Sequence, residues 1–209
     1  MFKDRKDAGE KLAHALEKYK GKDVLVLAIP RGGVEVGYRV AKHLDANFSL
    51  LVTRKLPLPD NPEAGFGAIT EDGSKVILER AAGRLTDRVI DEIVEKQEEE
   101  IDRRIKRLRE GPLPEIEGET VVLVDDGMAM GSTMRASIKL CKNKNAERIV
   151  VAVPVSSEEV ARKVGEIADE VVVLEKPEFF RAVAQVYEQW HDVSSEEALQ
   201  IAEKREKEQ

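Results

Sequence analysis

The stretch that decides the fold runs from residue 121 to residue 133 and reads VVLVDDGMAMGST. Its four apolar residues, Val121 to Val124, indicate a strand buried on both faces, as in parallel sheets covered by helices. Two carboxylates, Asp125 and Asp126, follow directly, and a glycine-bearing segment, Gly131 to Thr133, opens a predicted helix. In such sheets ligands bind beyond the carboxyl ends of the strands, so this loop is the first candidate site.

The two ends of this loop offer different chemistry. Carboxylates accept hydrogen bonds from hydroxyls and bind hard cations such as Mg²⁺. Backbone N–H groups at a helix start bind phosphate, and Ser132 and Thr133 add hydroxyl donors. The loop as a whole therefore suits a ribose 5-phosphate, although an Asp-Asp pair alone would be read as a polar strand end with a helix cap. The Walker pattern is excluded, because Ser132 stands where lysine is required.

Apolar runs alternate with helical patterns along the rest of the chain. Strands are predicted at residues 24–29, 48–53, 120–124, 148–154 and 170–174, and helices at residues 7–19, 86–108, 134–141 and 158–167, after residue 33 and from residue 194. This alternation predicts an α/β fold with a parallel sheet covered by helices on both faces. A length of 209 residues fits one domain, residues 1–209, with a core at about 20–175 and a C-terminal segment at 176–209.

The middle of the chain is predicted to depart from this alternation. Residues 66–78 carry a hairpin signal around Gly73. Three prolines between Arg54 and Glu63 predict that this stretch has no regular structure. The helix from Thr86 to Leu108 is highly charged with one apolar stripe, which predicts a solvated helix packed along one face.

A second loop with unusual composition follows the first predicted strand. It consists of Pro30, Arg31, Gly32 and Gly33. An arginine can bind phosphate with two parallel hydrogen bonds, and adjacent glycines permit close approach of the backbone. A tight strand-to-helix turn would explain the same residues equally well.

The charge, the cysteine content and the length of the apolar runs exclude several classes of protein. The net charge is −7, without a basic stretch, which argues against nucleic acid as a partner. The single cysteine, Cys141, excludes an internal disulfide and is predicted to be a buried or half-buried structural thiol. The apolar runs are too short to span a membrane and no signal peptide is recognised, so we expect a cytoplasmic protein. His14, His43 and His191 are isolated in sequence and are interpreted as surface or helix residues rather than catalysts.

The stretch from Val121 to Met134 resembles the signature with which type I phosphoribosyltransferases bind 5-phosphoribosyl 1-pyrophosphate (PRPP). That signature has four apolar residues, two acidic residues, a few small residues and then Thr-Gly-x-Thr. The present sequence matches at the apolar run, the acidic pair, Gly131 and Thr133. It departs at Met130, where the family usually has a threonine that donates to the 5-phosphate. The wider layout resembles bacterial and archaeal phosphoribosyltransferase-like proteins of poorly defined substrate.

The resemblance implies a type I phosphoribosyltransferase-like fold with a hairpin and flexible-loop insertion, a long charged helix and a small C-terminal hood. The implied pyrophosphate-binding residues are Pro30, Arg31, Gly32, Gly33, Arg54 and Lys55. The implied ribose-5-phosphate-binding residues are Asp125, Asp126, Gly127, Met128, Ala129, Met130, Gly131, Ser132 and Thr133. The implied catalytic residues are Asp125, Asp126 and Arg31, with the two aspartates also holding Mg²⁺ directly or through water.

The implied reaction transfers the phosphoribosyl group from PRPP to a small-molecule nitrogen acceptor, typically a nucleobase, and releases pyrophosphate. Mg²⁺ is the implied cofactor, a homodimer is implied by analogy alone, and residues 54–67 would form a mobile lid. Two alternatives stay open: a non-catalytic regulator that binds PRPP or a nucleotide, and a different reaction on a phosphorylated ribose because of Met130. The aromatic residues of the C-terminal segment would either stack on a base or form a small core: Phe179, Phe180, Tyr187 and Trp190.

Overall fold

Buried strands and covering helices alternate as the sequence predicts. The computed structural model describes residues 1–109 and 111–208. Its helices are α1 (Arg5–Ala15), α2 (Gly33–Leu44), α3 (Glu79–Ala82), α4 (Asp87–Leu108), α5 (Ser132–Asn143), α6 (Glu158–Gly165) and α7 (Ser195–Glu206). Its strands are β1 (Val24–Ala28), β2 (Asn47–Leu50), β3 (Thr53–Leu58), β4 (Asn61–Thr70), β5 (Lys75–Ile77), β6 (Thr120–Val124), β7 (Arg148–Val155) and β8 (Glu170–Glu175). Short 3₁₀ turns occupy Glu17–Tyr19 and Val183–Val186.

The main sheet of the described residues is parallel and has the strand order β2-β1-β6-β7-β8. The chain moves outward from β1 to β2 on one side and from β6 to β8 on the other. The strand order therefore reverses between β1 and β6, which is where α/β sheets of this kind bind their ligands. The predicted parallel α/β fold is confirmed.

Each face of this sheet packs against its own helices. Successive side chains of a strand point to opposite faces, and Val26 and Val122 accordingly pack in the same cluster as residues of α1 and α2. Leu27 and Leu123 pack on the other face with residues of α5 and α6. Cys141 of α5 lies in this second layer with no exposed surface, and burial raises the pKa of its thiol to about 12. The prediction of a buried structural cysteine is confirmed.

The prolines between residues 54 and 63 do not prevent strand formation, and the prediction of no regular structure there is wrong. β3 pairs antiparallel with β4, and β4 pairs antiparallel with β5 around the predicted hairpin. β3 is an edge strand, and its pairing shifts register on both sides of Pro57. Pro62 lies in the part of β4 that precedes its pairing with β5. Edge and irregular positions tolerate proline because they need no backbone donor there.

The predicted strand at residues 48–53 is divided between the two sheets. β2 ends at Leu50, and β3 begins at Thr53 in the smaller sheet. Leu51 and Val52 between them are both buried. The continuous apolar run reflects burial of the connection as well as of the strands, and periodicity alone cannot separate the two.

A buried ion pair holds the smaller sheet against the main one. Arg109, which caps the C-terminus of α4, donates from Nη1 to the Leu50 carbonyl at 2.6 Å and to Glu71 Oε1 at 3.0 Å. Glu71 Oε1 also accepts from the Val52 backbone N–H at 2.9 Å. Both charged side chains are buried, so the pair fixes the connection between the sheets and the end of α4.

The long helix α4 packs along one face, as its stripe predicts. Thr86 caps its first turn by accepting from the Val89 N–H. Val94 and Ile101 pack in the core beneath the smaller sheet, and the charged residues of the opposite face are exposed. The helix therefore covers the smaller sheet and leaves its charged face in solvent.

Candidate active site

The loops after β1 and β6 are in direct contact at the switch point of the sheet. Ala28 and Val124 are paired at the ends of these strands, and the Ile29 N–H continues the pairing to the Val124 carbonyl at 2.9 Å. A Cβ at Gly32 would lie 1.9 Å from Asp126 Oδ2, and one at Gly33 would lie 2.8 Å from the Asp125 Cα. Any side chain at either position would separate the two loops. The structure thus brings together the two candidate loops that lie about a hundred residues apart in the sequence.

The β6 loop ends at a helix N-terminus that is suited to an anion. Gly131 adopts a left-handed conformation, with φ 72°, as the N-cap residue of α5. Because glycine has no side chain, the first backbone N–H groups of α5 receive no side-chain cap from this position. Ser132 and Thr133 begin the helix beside them. Such N–H groups and hydroxyls are donors for an anion, and phosphate binding at this position stays a prediction.

A cavity of about 260 Å³ lies over this loop. Its lining combines the first residue of the acidic pair, the helix start and residues from the smaller sheet and the C-terminal segment. The lining residues are Lys55, Glu63, Asp125, Gly127, Met128, Ala129, Met130, Gly131, Ser132, Thr133, Met134 and Val183. Met130 is 53 % exposed, whereas the side chain of Met128 is buried in the core. Of the predicted loop residues, Met128 is therefore available mainly through its backbone.

The two adjacent carboxylates have different surroundings. Asp125 faces the cavity, and its Oδ1 accepts from the Asp126 backbone N–H at 2.8 Å. Burial, together with the neighbouring Asp126 charge, raises the pKa of Asp125 well above its usual range. Burial also raises the pKa of Asp126, and the Arg5 guanidinium opposes that rise. Of the two adjacent aspartates, Asp125 is therefore the one that lines the cavity.

Arg5 was not identified from the sequence, and it holds Asp126 in place. Its Nε donates to Asp126 Oδ2 at 2.9 Å, and its Nη1 donates to the His191 carbonyl at 2.8 Å. The guanidinium carbon lies 3.9 Å from the centre of the Trp190 ring. The hydroxyl of Tyr187 donates to the Asp126 carbonyl at 2.8 Å. The first helix and the C-terminal segment are therefore both fastened to the Asp-Asp loop.

Two of the C-terminal aromatic residues form a small core, one of the two alternatives that the sequence left open. Tyr187 is buried with Phe2, and Phe180 packs against the same cluster. Trp190 lies on Arg5, whereas Phe179 is 76 % exposed and outside this core. The residue of the segment that lines the cavity is Val183.

The two basic residues of β3 point in different directions. Lys55 lines the cavity, and its ammonium group donates to the Glu63 carbonyl at 2.6 Å. Arg54 instead donates from Nε to Gln97 of α4 at 3.0 Å. Burial lowers the pKa of Arg54, and the charges of Arg104 and Arg31 lower it further. Alternation along the strand therefore separates a pair that the sequence placed in one site, with Lys55 at the cavity and Arg54 toward α4.

The fold and the site define an α/β protein with a parallel sheet whose switch point carries a carboxylate, a glycine-rich contact and an open helix start. Residues 3–190 match the family described as the phosphoribosyl transferase domain, and the chain belongs to that family. The recognition made from the two loops is confirmed.

Three relatives are similar over nearly all of this chain. Proteins named "Putative phosphoribosyl transferase" from two strains of Mycobacterium tuberculosis are 40 % identical over 203 residues, which is 95 % of this chain and 46 % of theirs. The chain thus spans about half the length of these curated relatives. The crystal structure of TT1426 from Thermus thermophilus is 36 % identical with a TM-score of 0.79, covering 96 % of this chain and 97 % of that one. Among the described residues, the helices are all too short or too polar to cross a membrane.

Proposed function

We propose that this chain binds PRPP with Mg²⁺ and transfers the phosphoribosyl group to a nitrogen acceptor, with release of pyrophosphate. The contact between the Arg31-Gly32-Gly33 loop and the Asp125-Asp126 loop carries the proposal. PRPP has a pyrophosphate and a ribose phosphate on one ring, and the close contact of Gly32 and Gly33 with the Asp125-Asp126 loop would let one loop bind each group of the same molecule. Membership of the phosphoribosyl transferase family supports this assignment.

In the proposed complex each group of the site has one task. Asp125 accepts from the ribose hydroxyls, and the N-terminus of α5 with Ser132 and Thr133 holds the 5-phosphate. Arg31 and the backbone around Gly32 hold the pyrophosphate. Asp126 is a positioning residue, because its contact with Arg5 fixes the loop that carries Asp125.

The proposed reaction is a displacement at the anomeric carbon. The bond from this carbon to the pyrophosphate oxygen breaks, the bond to the acceptor nitrogen forms, and the proton of that nitrogen passes to solvent. Positive charge develops on the ribose ring while negative charge develops on the leaving group. In the proposed complex Arg31 would balance the negative charge on the pyrophosphate and Asp125 would face the ribose ring, without a covalent intermediate.

The residues present fit Mg²⁺, since carboxylate oxygens are the ligands that this hard cation prefers. Asp125, which faces the cavity, would hold the ion directly or through water, and Asp126 would act through the loop that carries Asp125. When bound, the ion would neutralise part of the negative charge of the pyrophosphate.

Calorimetric titration of the full chain with PRPP, with and without Mg²⁺, tests the proposal. We expect Mg²⁺-dependent binding in the micromolar range, and loss of that binding in Asp125→Asn. The control is Asp23→Asn, which removes the same charge from an exposed position at the other end of β1. Asp125→Asn is preferred to a change at Asp126, because loss of Asp126 would also leave Arg5 unpaired.

The binding experiment separates the proposed enzyme from its alternatives. Binding followed by pyrophosphate release with a panel of nucleobases would identify a transferase and its acceptor. Binding without turnover of any acceptor would favour a regulator. No binding at millimolar PRPP would contradict the proposal, and phosphorylated sugars and nucleoside monophosphates would then be titrated instead.

Met130→Thr is expected to tighten PRPP binding. Met130 is exposed at the cavity and stands where the family usually has a threonine that donates to the 5-phosphate. A hydrogen bond to a charged group contributes about 1.5–3 kcal/mol, so the affinity should increase roughly tenfold or more. The same titration measures this change. Met130→Ala, which shortens the same side chain without adding a hydroxyl, should not show this gain; equal gains in both variants would contradict the assignment of a phosphate-binding hydroxyl to position 130.

A further inference from the structure

Two of the three histidines of the chain meet on the surface far from the cavity. His14 lies at the end of α1 and His43 at the end of α2, and their rings are 4.8 Å apart in an edge-to-face arrangement. Glu17, from the 3₁₀ turn that follows α1, contacts His43 Nε2 through its Oε2. One ligand atom from each of these three residues lies within 4.8 Å of the others. Within the part of the chain that the structure describes, this is the group of three histidine, cysteine, aspartate or glutamate residues whose ligand atoms lie close enough together to share a metal ion.

We infer that His14, Glu17 and His43 form a binding site for Zn²⁺ or a similar divalent transition metal. Two imidazoles and one carboxylate are a ligand set that such metals use, with water completing the coordination. The present spacing of the ligand atoms is wider than a zinc site requires, and rotation of the side chains would close it, since His14 and Glu17 are exposed. A bound metal ion would replace the direct contact between the Glu17 carboxylate and the His43 imidazole.

The backbone beneath the three ligands is held firmly. A Cβ at Gly9 of α1 would lie 2.8 Å from the Arg39 Cβ of α2, so the two helices are in close contact there. His43 follows Arg39 by four residues, one turn further along the same face of α2, and the packing of α1 on α2 brings the His14 and His43 rings into contact near the ends of the two helices. The turn that carries Glu17 is fixed by Tyr19, which is buried. A competing surface pair joins Lys20 to Glu17 Oε1 at 3.5 Å and leaves Oε2 toward His43.

This site is separate from the cavity. Arg5, near the start of α1, contacts Asp126. His14 lies nine residues further along the same helix, which is a distance of about 13 Å along the helix axis. His43 follows Gly33 by ten residues of α2, a span of about 15 Å. The metal would therefore join α1 and α2 at the ends opposite to those that reach the phosphate-binding loops, and the inference does not depend on the proposed reaction.

The test is titration of the full, metal-stripped chain with Zn²⁺ by calorimetry and with Co²⁺ by visible absorption. We expect one equivalent of Zn²⁺ per chain and a d–d absorption band with Co²⁺. At a hundredfold excess over the dissociation constant, Zn²⁺ should raise the melting temperature by about 5–10 °C. His14→Gln and His43→Gln should each weaken binding by roughly 10- to 100-fold or more, since changes even in residues that only support a ligand have effects of this size.

The third histidine supplies the control. His191 pairs with Glu197 at 2.9 Å in the C-terminal segment, so His191→Gln should bind Zn²⁺ as tightly as the unmodified chain. Asp125→Asn should also bind normally, which excludes binding in the cavity. Melting temperatures in EDTA show whether each variant is folded. Equal binding by all variants, or no stoichiometric binding by the unmodified chain, would overturn the inference.

Discussion

Arg5→Ala is expected to reduce the free energy of unfolding by about 3–5 kcal/mol, because it leaves a buried carboxylate without its partner. The side chains of Arg5 and Asp126 are only 7 % and 13 % exposed. The change also removes the donor to the His191 carbonyl and the cation that lies on Trp190. Urea unfolding at pH 7, followed by circular dichroism, measures the loss.

A lysine on the same helix provides the matched control for this prediction. Lys11 pairs with Asp7 at 2.8 Å, but both side chains are substantially exposed. Such pairs contribute little, and Lys11→Ala should change stability by less than about 1 kcal/mol. If the two variants unfold alike, the Arg5–Asp126 pair does not stabilise the loop as described.

The effect of Arg5→Ala should also depend on pH in a defined direction. Burial raises the pKa of Asp126, and Arg5 opposes that rise. Without Arg5, the pKa in the folded state rises further above its value in the unfolded chain. A protonated Asp126 needs no ion partner, so the loss of stability should be smaller near pH 5 than at pH 8.

Gly32→Ala is expected to weaken PRPP binding by about 100-fold, because it displaces the two loops that form the site. The added Cβ would lie 1.9 Å from Asp126 Oδ2 and 2.6 Å from its Cγ. Asp126 cannot move aside easily, since Arg5 holds its carboxylate and Tyr187 donates to its carbonyl. The same calorimetric titration measures the affinity, and urea unfolding should show an overpacking cost of about 1–3 kcal/mol.

Gly165→Ala is the control for this substitution. A Cβ at Gly165, at the end of α6, would meet only Val171 Cγ2 at 3.8 Å, an ordinary contact. Its PRPP affinity should equal that of the unmodified chain. Unchanged binding in Gly32→Ala would mean that the two loops can separate without loss of the site, and the proposed function would lose its main support.

The parts of the structure that could be predicted from the sequence are those set by local patterns. Val121 to Val124 formed the predicted buried strand because four apolar residues in a row suit a sheet covered on both faces. We could also predict that two loops at the strand ends of that sheet contain the Asp125–Asp126 pair and the Arg31-Gly32-Gly33 sequence. Parallel strands bring such loops to one edge whatever their separation in sequence.

The parts of the structure that could not be predicted from the sequence depend on long-range contacts. Arg5 lies in a short charged helix whose sequence gives no sign of a partner 121 residues away. His14 and His43 are brought together only by the packing of α1 on α2. Pro57 was misread because its effect depends on whether the strand lies at an edge, which is a property of the whole sheet.

Cys141 makes the molecule convenient for site-directed labelling. Thiol reagents attack the thiolate, and a thiol whose pKa is about 12 and which is shielded from solvent reacts slowly at neutral pH. A fluorophore or spin label would therefore attach selectively to a second cysteine, such as one introduced by Asp60→Cys at the exposed turn between β3 and β4. Movement of that turn relative to the cavity could then be followed spectroscopically, without first replacing the native cysteine.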